Sequence, residues 1–266
     1  MSNVIAAARR LQISHIIAQE GQVRVADLAE RFQVSDETIR RDLADLETQG
    51  LVERNYGGAV LRSRNGVGVV LPPLEERQST LQAEKERIGQ LAASLVRPGQ
   101  VVILDAGSTT RQVARHLAAV PRLTVITNDL AIADELRSAE EVRVLVTGGY
   151  LKPRSRSLIG PEAVSFLQRY HADIVFLGTS GITLERGLTA SDMFEAETKA
   201  AMLRAARQAV LVADHSKFGC THLALFAPVT GVNTIVTDGS VSAGEAEAIR
   251  AVGVEVLVAM ESGGTC

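Results

Sequence analysis

The chain has 266 residues, is 46% hydrophobic but only 3% aromatic with no Trp, and carries a net charge of -3. That length suits a small domain joined to a larger one, and a core of Ala, Val, Ile and Leu suits buried parallel strands packed against helices. The charge excludes a broadly basic nucleic-acid binder: residues 1 to 62 hold eight Arg, no Lys and nine acids, so any DNA affinity must come from local placement of arginines and from dimerisation. No stretch approaches the roughly 20 apolar residues needed to span a bilayer. The start, MSNVIAAARRLQ, lacks the apolar block of a secretion signal. Cys220 and Cys266 stand far apart without CxxC spacing, which fits a reducing compartment and no disulfide framework or structural zinc. A cytoplasmic protein without cofactor, metal or membrane partner is expected.

The first elements are helical. Ile13, Ile16 and Ile17 mark one helix closed by Gly21, and Leu28, Ala29 and Phe32 mark a short second one. Ser35 then stands where a third begins, with a side-chain oxygen able to cap the next turn. Ile39, Leu43 and Leu46 follow at steps of four and three, an apolar stripe that leaves Thr38, Arg40 and Arg41 largely outside it. Gly50 ends that helix, and LVERNYGGA reads as two short extended strokes about a Gly57-Gly58 turn. Two helices joined by a tight turn, the second with adjacent arginines near its start, make a helix-turn-helix with a trailing wing.

This run resembles the amino-terminal half of DeoR-type bacterial transcription repressors, through Val34-Ser35, Thr38 to Leu43, Leu46-Glu47, Gly50, Arg54 and Gly57 to Ala59. Tyr56 departs from it, standing where the family usually has His. The resemblance implies that Arg40 and Arg41 make base or phosphate contacts. Ser35 and Thr38 would donate to phosphates at the helix start, and Arg54 and Tyr56 would reach the duplex from the wing. Which arginine reads a base is not fixed by spacing, since either could pair with Glu37, Asp42 or Asp45.

Residues 61 to 80, with Pro72-Pro73, several glycines and mixed charge, read as a linker between a head at 1–60 and a second domain at 81–260. A helix is expected from Ala83 to Val96. After it come short β-branched runs at Val101 to Leu104, Leu123 to Thr127, Val142 to Thr147, Ile174 to Leu177, Val210 to Ala213, Thr234 to Thr237 and Val254 to Val258. Amphipathic segments lie between most of them: Arg111 to Ala119, Leu130 to Ser138, Pro161 to Tyr170, Phe194 to Gln208 and Ala243 to Val252. The alternation predicts an α/β layer fold, a mostly parallel sheet covered on both faces.

The first strand of this domain runs through LDAGSTT into a helix. Gly107, Ser108, Thr109 and Thr110 would there present free N–H groups, hydroxyls and the positive end of a helix dipole, a seat for a phosphate. An ordinary turn capped by Ser108 fits the spacing equally, and neither the Walker pattern nor GxGxxG is present. The stretches LDAGSTT, VITND, TGGYL, ADIVFLGTSGI, GLT and ADHSKFG are similar to the effector domain of the same family, related to ribose-5-phosphate isomerase. That resemblance implies a sugar-phosphate pocket at the carboxyl ends of the strands. Ser108, Thr109 and Thr110 would hold the phosphate, Asp105 and Asn128 would take sugar hydroxyls, and Lys217 would bring a cation. Asp214 would accept a hydroxyl or fix Lys217. Lys199 either lines the pocket or forms a surface i, i+4 pair with Glu195, and Asp192 with Glu195 also fits a capping box.

The acid that sugar-phosphate isomerases use as a base is missing from the turn Leu177 to Gly181, so a pocket that binds without turnover is expected. The five histidines show no metal-ligand spacing. The chain is thus expected to be a repressor, dimeric or tetrameric, that binds operator DNA and is released by a phosphorylated sugar. An isomerase with an accessory DNA-binding head is the alternative, and a protein-binding module a third.

Overall fold

The computed structural model describes residues 9, 10, 13, 16, 17, 22–48, 52–55, 57–61, 80–153 and 155–260. Contacts divide the chain into two compact units, Met1–Leu71 and Pro72–Cys266. Most of the linker expected at 61 to 80, residues 62 to 79, lies outside the described residues, as do the helix ends expected at Gly21 and Gly50.

In the smaller unit, residues 9, 10, 13, 16 and 17 are helical, and two further helices follow, α1 (Val25–Phe32) and α2 (Asp36–Thr48). The turn between these two is made by Gln33 in the left-handed region, φ 51°. The periodic residues close one core: Ile13, Ile16, Ile17, Leu28, Ile39, Leu43 and Leu46 are all buried. Strands β2 (Val52–Asn55) and β3 (Gly58–Leu61) form the expected wing about Gly57, φ +99°. A third strand, β1 (Gln22–Arg24), which no sequence pattern marks, pairs antiparallel with β3. A three-residue strand has no period to detect. Gly58 permits the pairing, since a Cβ there would lie 2.0 Å from the Val23 carbonyl oxygen.

The larger unit is built on seven strands: β4 (Val101–Leu104), β5 (Leu123–Thr127), β6 (Val142–Val146), β9 (Ala172–Leu177), β12 (Ala206–Val212), β14 (Thr234–Asp238) and β15 (Glu255–Ala259). Their order is β15-β14-β12-β9-β4-β5-β6, and every neighbouring pair is parallel. Alternate side chains feed two cores. Val102, Leu104, Val125, Phe176 and Val210 pack with α3 (Gln82–Ala93), α4 (Ser108–Leu117) and α5 (Leu130–Leu136). Ile103, Ile126, Val175, Leu211 and Ile235 pack on the other side with α6 (Pro161–Leu167), α7 (Met193–Arg204) and α8 (Ala243–Ala251). The doubly covered sheet is therefore the one the strand–helix alternation implies. Several boundaries shift by one to three residues, and one by more: the helix expected to run to Gln208 ends at Arg204, and Ala206 to Gln208 instead open β12, three polar or small residues without a strand pattern.

Two small features were not legible. A hairpin, β7 (Tyr150–Lys152) with β8 (Ser157–Ile159), and a three-stranded antiparallel sheet of β10 (Gly181–Thr183), β11 (Gly187–Ala190) and β13 (Ala224–Ala227) both lie in stretches where the sequence pattern predicts neither strand nor helix. Among the described residues no helix is long and apolar enough to cross a membrane. Helices α3 and α4 approach so closely that a Cβ on Gly89 would sit 2.6 Å from Gln112 Cβ and 2.7 Å from its carbonyl carbon. Gly89→Val should therefore cost about 1–3 kcal/mol by overpacking, read as a lower urea midpoint for unfolding of the larger unit at unchanged slope.

Candidate functional site

On the head, the Ser35 hydroxyl accepts the Thr38 N–H at 3.3 Å and shares a 2.9 Å hydrogen bond with the Thr38 hydroxyl, so Ser35 is the cap of α2. Of the acids beside the arginine pair, Asp42 and Asp45 are engaged elsewhere, and Glu37 is exposed with no ion pair to either arginine among the described residues. Asp42 is buried against Arg9 at 2.5 Å, and Asp45 accepts from Arg10. Arg40 and Arg41 are exposed, and their side chains have no partner among the described residues, so α2 offers two uncommitted guanidinium groups. Arg54 lies in β2, its backbone opposite Ala59. Tyr56 lies outside the described residues.

In the larger unit the expected site residues sit where strands end. After β4 the chain turns through Gly107 into α4, whose N-cap has no side-chain cap. The N–H groups of Ser108, Thr109 and Thr110 thus point out of the helix start without intrahelical partners. Thr110 is fully buried and its hydroxyl donates inward to the Gly107 carbonyl at 2.9 Å, so its amide, not its hydroxyl, is available. The Gly107 N–H donates to Asp129 Oδ2 at 3.3 Å. Asp129 also caps α5, accepting from Ala131 N at 2.7 Å and Ile132 N at 3.4 Å. Burial raises its carboxyl and the three amides pull it back, leaving it pushed up to about 6. Asn128 donates to the Leu158 carbonyl at 3.1 Å, tying β8 to the end of β5, while its Oδ1 is buried without a hydrogen-bond partner.

The centre of the site is an ion pair between Asp105 and Lys199, each side chain 2% exposed. Asp105 Oδ2 also accepts the Gly178 N–H at 3.0 Å, and Lys199 Nζ donates to the Gly178 carbonyl at 3.1 Å. Burial, the largest influence, pushes the Asp105 carboxyl up against the pull of the Lys199 ammonium. Lys199 is thus neither a surface partner of Glu195 nor a free cation. Glu195, 3.6 Å from Lys199, is held by Lys152 at 3.0 Å, a residue on β7 that the sequence did not single out. Asp192 does cap α7, its Oδ1 accepting the Glu195 N–H at 3.1 Å.

Lys217 ends a short 3-10 turn, His215–Lys217, and its ammonium has no partner among the described residues. Asp214 does not pair with it. The Asp214 carboxylate accepts the N–H of Ser216 at 3.1 Å and also its hydroxyl, and so shapes the turn that carries Lys217. His215 is fixed by Asp238 of the next strand, N–H at 2.7 Å and Nδ1 at 3.0 Å. His222, which sequence reasoning left among ordinary histidines, is half-buried beside Lys217 and Glu195. A separate surface groove of about 470 Å³ runs along Thr147, Pro161, Glu162, Ser165, Phe166 and Arg169, and holds none of the expected effector residues.

The arrangement can bind an anion at the α4 start and hold a polar ligand above strand ends; its most buried charges serve each other. Lys199→Met leaves Asp105 buried and unpaired and should destabilise the larger unit by about 3–5 kcal/mol in urea unfolding, whereas adding Asp105→Asn should restore most of the loss.

Comparison with known proteins bears on both units. A model of the DeoR-like helix-turn-helix domain matches residues 9–65, and one of the DeoR C terminal sensor domain matches residues 80–239. The chain is 35% identical over 226 residues to the glycerol-3-phosphate regulon repressor of Escherichia coli (strain K12), covering 85% of this chain and 88% of the relative. It is 34% identical over 256 residues to the HTH-type transcriptional repressor GlcR of Bacillus subtilis (strain 168), covering 96% and 97%. Among solved structures, ribose 5-phosphate isomerase A of Methanocaldococcus jannaschii is similar at a TM-score of 0.39 and 18% identity, over 52% of this chain and 55% of that one. So distant a likeness decides nothing about the site.

Proposed function

The chain belongs to the DeoR family of transcription regulators, and on that premise we propose that it represses a sugar or polyol catabolic operon and is released from its operator by a phosphorylated sugar. The observation that carries the effector reading is the uncapped start of α4. Three outward amides, the Ser108 and Thr109 hydroxyls and a helix dipole meet there, at the end of the strand that also supplies the buried Asp105. In this reading the phosphate takes those amides and the Lys217 ammonium, and Asn128 Oδ1 takes a sugar hydroxyl. Asp105, Lys199 and Asp214 hold the frame.

The isomerase alternative needs a free carboxylate at the Gly178 loop. Asp105 does reach that loop, but it is committed to Lys199 and Gly178, which supports binding without turnover. On the DNA side, Arg40 and Arg41 read or anchor the duplex from α2, with Ser35, Thr38, Arg54 and Tyr56 around them. A single small head binds weakly, so a dimer or tetramer on paired half-sites is part of the proposal. Release requires the effector to bind one arrangement of the heads better than another, because equal affinity shifts nothing.

Gel retardation on DNA upstream of its own gene tests the head: Arg40→Ala combined with Arg41→Ala should weaken retention by at least about 1–3 kcal/mol, roughly 5- to 150-fold, without loss of thermal stability. Unchanged retention sinks the assignment. For the pocket, the sugar phosphate that stabilises the chain should add about 2.7 kcal/mol at a hundredfold excess over its Kd. That gain should vanish in Thr109→Ala and in Lys217→Ala; a gain surviving both rules out this seat for the phosphate.

A further inference from the structure

His222 lies between the Lys217 turn and β13. Its backbone N–H donates to the Thr189 hydroxyl at 3.0 Å, which pins the residue to the small antiparallel sheet. The ring's Nδ1 is buried with no hydrogen-bond partner among the described residues. Two charged side chains from separate elements bear on it, Lys217 from the 3-10 turn and Glu195 from α7, and through Glu195 the cluster continues to Lys152 and Lys199. Burial first, then the Lys217 ammonium, hold the imidazole below its usual range, so at neutral pH it is uncharged and has one donor and one acceptor nitrogen.

A buried histidine that serves only packing ordinarily satisfies its nitrogens or exposes them, because a polar atom left without a partner away from water costs stability. Here the unsatisfied nitrogen lies beside the one cation of the site that has no side-chain partner among the described residues. We propose that His222 is a specificity-determining residue of the effector site, its Nδ1 hydrogen-bonding a hydroxyl of the phosphorylated sugar whose phosphate is held by Lys217 and the α4 start. A hydroxyl is the matching group because it can donate or accept, whichever tautomer the ring adopts. Lys217 and the α4 amides then recognise what all sugar phosphates share, and His222 recognises how a particular one arranges its hydroxyls. The inference rests on the sugar-phosphate reading of the pocket.

The test uses the full chain and a panel of triose, pentose, hexose and hexosamine phosphates, with inorganic phosphate as the reference probe, followed by thermal shift and calorimetric titration. In His222→Ala the sugar phosphate that binds the wild type should lose about tenfold in affinity while inorganic phosphate binds as before. In His222→Asn, whose amide places a polar atom near the position of Nδ1, affinity should return to within about threefold of wild type. Wild-type affinity in His222→Ala overturns the proposal. So does an equal loss for sugar phosphate and inorganic phosphate, or failure of His222→Asn to restore binding when its unliganded melting temperature matches the wild type. If no member of the panel binds the wild-type chain, the reading of the pocket falls first and this inference with it.

Discussion

The buried pair of Asp105 and Lys199 is the constraint on which the larger unit depends. Two opposite charges, each 2% exposed, cannot exist apart in that interior, because either alone would face an uncompensated cost of burial. Their union fixes three pieces of backbone at once: the end of β4, the body of α7 and both polar groups of Gly178 beyond β9. The pair adds little net stability against an apolar replacement; its contribution is register, since α7 cannot slide or rotate without separating the charges.

From that fixed point a polar chain extends outward, Lys199 to Glu195 to Lys152, while Asp129 ties the Gly107 turn to α5 on the other side. Charges near the frame are satisfied by neighbours, whereas the amides at the α4 start, Asn128 Oδ1, the Lys217 ammonium and His222 Nδ1 have no partner among the described residues. The head follows the same division of labour. Asp42 and Asp45 are taken by Arg9 and Arg10, and Arg40 and Arg41 stand exposed on α2 with no partner among the described residues.

Much of this was legible in the sequence because period and burial agree. Ile39, Leu43 and Leu46 announced the packed side of α2, and the strand–helix alternation announced a doubly covered parallel sheet. What escaped were features that no local pattern encodes. The three-residue strand β1 exists because a distant segment, β3, pairs with it, and β7 and β10, though each pairs with the next strand, are too short for a period to show. Lys199 could be assigned either to the pocket or to a surface pair with Glu195, since spacing along a helix says nothing about which side meets a buried carboxylate 94 residues earlier. Lys152 and His222 became visible only once tertiary contacts brought β7 and the loop before β13 to Glu195. The hydroxyl of Thr110 shows the converse: the motif was found, but one of its members faces inward.

The strand order has a kinetic consequence. β4, the first strand of its sheet to be synthesised, lies fifth of the seven-strand order, between β5 and a neighbour, β9, that leaves the ribosome much later; Val101 bonds to Asp173, 72 positions on. Until that second neighbour arrives, one edge of β4 stays open, and such long-range closure makes parallel sheets slow to form. The winged head, whose partners all lie within its own short stretch, has no such wait. Each newborn chain therefore matures in two steps, the grip before the sensor.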